Sequence, residues 1–210
     1  MKRVLISGLV TFLLFISVLF FYFYEYNSKT VSSSYCIATE KTLSALKKGD
    51  LILRKGTALD SSIIMRLSKS SYSHIGIVTS VSPQIIITHA ASDDETDHKN
   101  MVISSRADSF LSNELALKFA VIRYSFLTEN ETDAVIKEVL GQIGKPFVLG
   151  KRGDDMNLRY CTTLIYDAIR KVHSSFELNY TYVDLPLFEG EYLFPQAFIE
   201  YDRNSLIHEE

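Results

Sequence analysis

His74-Ile75-Gly76-Ile77-Val78-Thr79 and Gln84-Ile85-Ile86-Ile87-Thr88-His89, separated only by Ser80 to Pro83, are the two runs that decide the fold of this chain. β-Branched residues dominate both, and a Ser- and Pro-containing break divides them, which is the pattern of a β-hairpin. A tight turn with Val81 and Ser82 central would set position 74 directly opposite position 89. Side chains at such a pair stand roughly 4.5–5.5 Å apart at Cβ, so the two imidazoles can hydrogen-bond, one orienting the other.

Upstream, Lys48-Gly49-Asp50 turns into a short strand at Leu51-Ile52-Leu53-Arg54, and Ser61 to Leu67 carries apolar residues at helical spacing. A third β-rich run lies at Phe119-Ala120-Val121-Ile122-Arg123-Tyr124. Thr128 with Glu131 forms a capping box, and Ala134, Val135, Val139, Leu140 and Ile143 give the following helix an apolar stripe that ends at Gly144-Lys145-Pro146. After a polar loop, Cys161 opens a helix whose buried face is Leu164, Ile165, Ala168, Ile169 and Val172. Strands and helices mix without βαβ alternation, which predicts an α+β domain with an antiparallel sheet packed by helices.

The 210 residues carry a formal net charge of -3, with Lys and Arg scattered, so no surface for nucleic acid is expected. Val4 to Tyr24 is a run of 21 uncharged residues behind Lys2 and Arg3, long enough to cross a bilayer as a helix. The basic residues should stay cytoplasmic, placing the rest outside. The run ends in Phe-Phe-Tyr-Phe-Tyr, which suits an interfacial aromatic belt and favours a retained anchor. The competing reading is a cleaved signal, cut near Ser32-Ser33-Ser34, leaving a secreted or periplasmic protein. The expected organisation is an anchor or signal over 1–25, a Ser- and Thr-rich linker over 26–41 and a catalytic domain over 42–210.

Two cysteines occur, Cys36 and Cys161, without metal or disulfide spacing. Cys36 reads as an incidental linker thiol. A nucleophilic cysteine needs a thiolate, a base within reach and a group to hold the base in its tautomer. Cys161 at a helix N-terminus, His74 as base and His89 as orienting residue fit those roles. On spacing alone, Cys161 reads equally as a structural buried thiol. His89, Asp93, Asp94, Asp97 and His98 form a ligand-rich stretch, read here as a solvated acidic loop, so no metal and no cofactor is expected. His173 and His208 read as surface residues.

Four short runs, in order, carry a resemblance. Tyr72-Ser73-His74-Ile75-Gly76, Gly144-Lys145-Pro146-Phe147, Tyr160-Cys161-Thr162-Thr163-Leu164 and Phe194-Pro195-Gln196-Ala197-Phe198 resemble the YiiX/YebB-like family of circularly permuted, NlpC-type papain-like cysteine hydrolases, also called permuted papain-like amidases. The resemblance covers roughly residues 49–202 and explains why the histidine precedes the cysteine. It implies a papain-like α+β core, Cys161 as nucleophile and His74 as general base. Two departures stand out: Thr88-His89-Ala90 replaces a Phe-Glu-Ala run in relatives, and Phe147 stands where a Tyr is usual. Histidine orients the base in ordinary NlpC-type enzymes, so His89 is the expected third residue. Tyr160 and the Cys161 N–H are the candidate oxyanion donors.

The expected activity is hydrolysis of an amide or acyl bond through a thioacyl intermediate, on cell-wall peptide or lipid substrates at the membrane. An acyltransferase, and a papain-like binding module with weak or no turnover, are the alternatives.

Overall fold

Strand β1 (Leu51–Gly56) is buried at nearly every position, as a strand covered on both faces must be. It pairs antiparallel with β2 (His74–Ser80) on one side and β5 (Ala116–Ile122) on the other. Strands β3 (Ile86–Ala91), β4 (Met101–Arg106) and β8 (Leu206–Glu209) complete a six-stranded sheet in the order β4-β3-β2-β1-β5-β8, every pairing antiparallel. Strands β6 (Thr181–Val183) and β7 (Gly190–Tyr192) form a separate hairpin. The helices are α1 (Glu40–Ser44), α2 (Leu59–Ser68), α3 (Ala107–Phe110), α4 (Glu129–Leu140), α5 (Cys161–Val172) and α6 (Gln196–Tyr201). This is the expected α+β architecture with an antiparallel sheet. The computed structural model describes residues 35–92, 100–154, 158–186 and 188–209.

Alternation along the strands divides the core by sheet face. Leu51, Leu53, Ile75, Ile77, Ala120 and Ile122 pack with Val135, Val139, Cys161, Leu164 and Ile165 of α4 and α5. Ile52, Val78, Ile87, Phe119 and Val121 pack with Phe110 and Leu111. Asp50, fully buried at the head of β1, receives Arg123 Nε and Nη2, each at 2.7 Å, and so locks β1 to the end of β5. Thr128 and Glu131 make the expected capping box at the start of α4.

The hairpin register differs from the expected one. Ile77 faces Thr88 and Val78 faces Ile87, so His89 lies opposite Gly76 rather than His74, and the pairing becomes irregular before Ser80 meets Ile86. The connection spans 81–85 instead of a two-residue turn, because Pro83 has no N–H to give a tighter ladder. A shift of two residues preserves the face, so both imidazoles still project from the same side.

The folded unit begins at Tyr35, earlier than the linker boundary expected at Lys41. Tyr35 N bonds Asn113 Oδ1 at 3.0 Å and Ile37 N bonds Leu111 O at 2.8 Å, so this stretch lies on the domain. The apolar leader lies outside the described residues. Among the described residues, no helix is long and apolar enough to cross a membrane.

Candidate active site

His74 opens β2 and His89 lies near the end of β3, diagonal neighbours across the sheet. Their rings meet edge to face with centroids 5.1 Å apart, and His74 Nε2 lies 2.9 Å from His89 Nδ1. His89 Nε2 lies 3.1 Å from Ser105 Oγ on β4. Gly76 makes this approach possible. A Cβ there would stand 2.5 Å from Ile87 Cγ2 and 3.3 Å from His89 Cβ, crowding the strip over which the rings join.

The bond to His89 engages Nε2 of His74, and Nδ1 carries no hydrogen bond among the described residues. If Nδ1 is to accept a proton, Nε2–H must donate to His89 Nδ1, and His89 Nε2–H then donates to Ser105. One line of hydrogen bonds thus couples the two tautomers.

Cys161 is the first residue of α5, and Tyr160 before it has extended backbone. Thr163 Oγ1 accepts the Tyr160 N–H at 3.0 Å. Two bonds to Leu193 hold the helix end: Leu193 N donates to the Tyr160 hydroxyl at 3.1 Å, and Thr162 Oγ1 donates to Leu193 O at 2.8 Å. The Tyr160 phenol is therefore buried against the exit of the β6–β7 hairpin.

Cys161 is 8% exposed, and its sulfur accepts the backbone N–H groups of Ile75 and Thr162. Cys161 packs with Leu51, Leu53 and Ile75 on one face of the sheet while the His74 ring rests on Phe110 on the other, so the structure brings the two histidines together but not the cysteine with its base. No hydrogen bond joins the sulfur to an imidazole among the described residues.

Burial pushes the Cys161 thiol up to about 11, outweighing the N–H groups and the Arg54 charge, which favour the thiolate. The helix N-terminus does act in the expected direction, but desolvation wins. Burial, with Arg54 adding to it, holds both imidazoles well below their ordinary range. The thiol and both rings thus rest neutral.

Arg54 is the residue that sequence reasoning passed over. It faces His74 across β1 and β2, is buried, and lays its guanidinium 4.3 Å over the Phe110 ring while Nη1 bonds Phe110 O at 2.8 Å. Both imidazoles also rest on Phe110, with centroids at 5.7 and 4.9 Å. The signal was a charge ending an apolar strand run.

The two remaining motif runs are structural. Gly144 and Lys145 exchange backbone bonds with Val102 of β4, and Gln196 Oε1 accepts Ser70 Oγ at 3.3 Å. His173 is not a loose surface group: it bonds Glu131 at 3.2 Å and stacks on Phe126. His208 lies in β8 with its ring 4.9 Å from Phe119. Asp93, Asp94, Asp97 and His98 lie outside the described residues. A cleft of about 420 Å³ runs along α5, lined by Glu138, Gln142, Asp154, Arg159, Asp167 and Tyr180, and includes none of the three site residues.

No family model and no curated protein sequence matches the chain. In fold it is similar to the metalloprotein YiiX from Escherichia coli O157:H7, with a TM-score of 0.57 and 17% identity over 78% of this chain and 96% of that one. At that identity the likeness is one of fold.

Proposed function

We propose that the chain is a cysteine hydrolase of the YiiX/YebB-like, permuted papain-like type, held at the membrane by its leader with the catalytic domain outside the cytoplasm. The observation that carries this reading is the His74–His89–Ser105 line of hydrogen bonds, which starts at the head of β2, the strand whose Ile75 N–H the Cys161 sulfur accepts.

The step requires the His74 ring to reach the sulfur past the head of β2; His74 Nδ1 then takes the thiol proton, and the thiolate adds to the carbonyl carbon of an amide or ester. The Cys161 N–H faces the developing oxyanion, and His74 returns its proton to the leaving nitrogen or oxygen. Water, deprotonated by His74, then releases the acid from the thioester. Neutral His89 shares the imidazolium charge only through its hydrogen bond, since it lacks the negative charge of the carboxylate in relatives. Cell-wall peptides and lipid acyl groups are the substrate classes that the extracytoplasmic location and the kinship favour.

YiiX is described as a metalloprotein. Among the described residues no three His, Cys, Asp or Glu side chains converge on one point. The ring-to-ring bond and the Ser105 contact engage three of the four imidazole nitrogens of His74 and His89. So engaged, His74 and His89 leave one ring nitrogen, too few ligands to hold a metal by themselves.

A second reading, a papain-like binding module without turnover, is favoured by the protonated, 8% exposed thiol. Incubating the full chain in detergent with peptidoglycan fragments and a lipid panel, read by mass spectrometry, separates the two. A hydrolysed product that disappears in Cys161→Ala is expected; activity that survives the substitution overturns the mechanism.

A further inference from the structure

The cleft of about 420 Å³ along α5 has the size of a small-ligand site. Glu138 of α4 meets Lys171 of α5 at 2.6 Å, and Gln142, just past α4, accepts Arg159 Nε, just before α5, at 3.2 Å. The two helices therefore run antiparallel, with the cleft between these two contacts lined by α5 from Thr163 to Lys171. Leu158, Leu164 and Ala168 supply its apolar wall.

Two of its other charges are already engaged: Lys171 meets Glu138, and the Asp154 carboxylate accepts the Lys151 backbone N–H at 2.9 Å. Arg159 and Asp167 differ. Arg159 donates to neutral acceptors only, Gln142 Oε1 and Pro146 O, and its Nη2 carries no hydrogen bond among the described residues. Asp167 forms no hydrogen bond and no ion pair among the described residues, because Arg170 gives its guanidinium to Glu177 and to the Tyr166 hydroxyl. Burial pushes the Asp167 carboxyl above its ordinary range, against the pull of Arg170. Burial and then the Asp167 charge push the Tyr180 hydroxyl up, so that the phenol stands within the field of the carboxylate. The Tyr180 ring is held in place by Arg152, whose guanidinium lies 4.8 Å over it.

A carboxylate drawn from water without a donor lacks the partner that would stabilise it, and an ammonium supplies both charge and N–H groups. The open side of the Arg159 fork suits a carboxylate in the same way. We propose that this cleft binds a short zwitterionic peptide, its terminal ammonium on Asp167 and Tyr180 and its terminal carboxylate on Arg159. The helix from Cys161 to Asp167 rises about 10 Å, which an extended chain of roughly three residues spans. The site lies apart from His74, His89 and Cys161 and does not depend on turnover.

Tri-alanine, N-acetyl-tri-alanine and tri-alanine amide are titrated calorimetrically into full chain in detergent, in a Cys161→Ala background so that no probe is consumed. The free peptide should bind at least tenfold more tightly than either blocked form. Asp167→Asn should bring the free peptide down to the level of the acetylated one, and Arg159→Gln to the level of the amide, each leaving the matching blocked peptide unchanged. Equal affinity for the three probes, or no heat with any of them, overturns the proposal, as does a preference for free ends that survives both substitutions. Because the blocked and free peptides are compared on the same protein, the result does not hang on the folding of either variant. Loss of Cys161 chemistry leaves it untouched.

Discussion

The proposed chemistry turns on which nitrogen of His74 is left to act. His89 takes Nε2, Ser105 fixes His89, and Nδ1 remains. The pairing of His74 with His89 was legible in the sequence because a hairpin sets both rings on one face. The register was not legible, and neither was the role of Gly76, whose missing Cβ clears the path between rings that are diagonal rather than opposite. Gly76→Ala puts a methyl 2.5 Å from Ile87 Cγ2, an overpacking expected to cost about 1–3 kcal/mol. It also pushes His89 away. The denaturant midpoint should fall, and nitrogen NMR of the imidazoles should show the bond from His74 to His89 weakened; an unchanged spectrum in a folded variant would show that the glycine is incidental.

At the scale of elements, the helices were easier to read than the sheet. The Thr128–Glu131 box and the apolar stripe behind it are local signals, and α4 formed where they pointed. Replacing Thr128 with Ala removes a cap worth about 1 kcal/mol, so the melting temperature should drop by roughly 2–4 °C, with the site unaffected. A drop no larger than that of an exposed surface substitution would show the cap to be inert. Strands β4 and β8 escaped notice because their pairing is not local. Ile103, Ser104, Ser105 and Arg106 of β4 mix polar with apolar positions, and β8 is an edge strand of Leu-Ile-His-Glu held partly by the bond from Tyr72 to Glu209. Neither carries a hydrophobic run long enough to stand out. The domain start was also missed, since Tyr35 to Ala38 docks through backbone bonds that Ser and Thr content does not reveal.

For the whole molecule, the sheet divides the site between its faces. Helix α5 brings Cys161 against Ile75 on one side, while the imidazoles rest with Arg54 on Phe110 on the other. The backbone at the head of β2 is where the two halves meet. A neutral thiol that burial pushes up to about 11 reacts at neutral pH only if a base takes its proton. The most direct test of that claim is the rate at which a thiol-directed electrophile labels Cys161 across pH, in a Cys36→Ser background, with and without His74→Ala. With His74 present, labelling should proceed near neutral pH; without it, the rate should fall by roughly 10²–10⁴-fold and recover only as pH climbs toward the thiol's own range. Identical rates and pH profiles for the two proteins would contradict the account, leaving Cys161 a buried thiol that opens a helix.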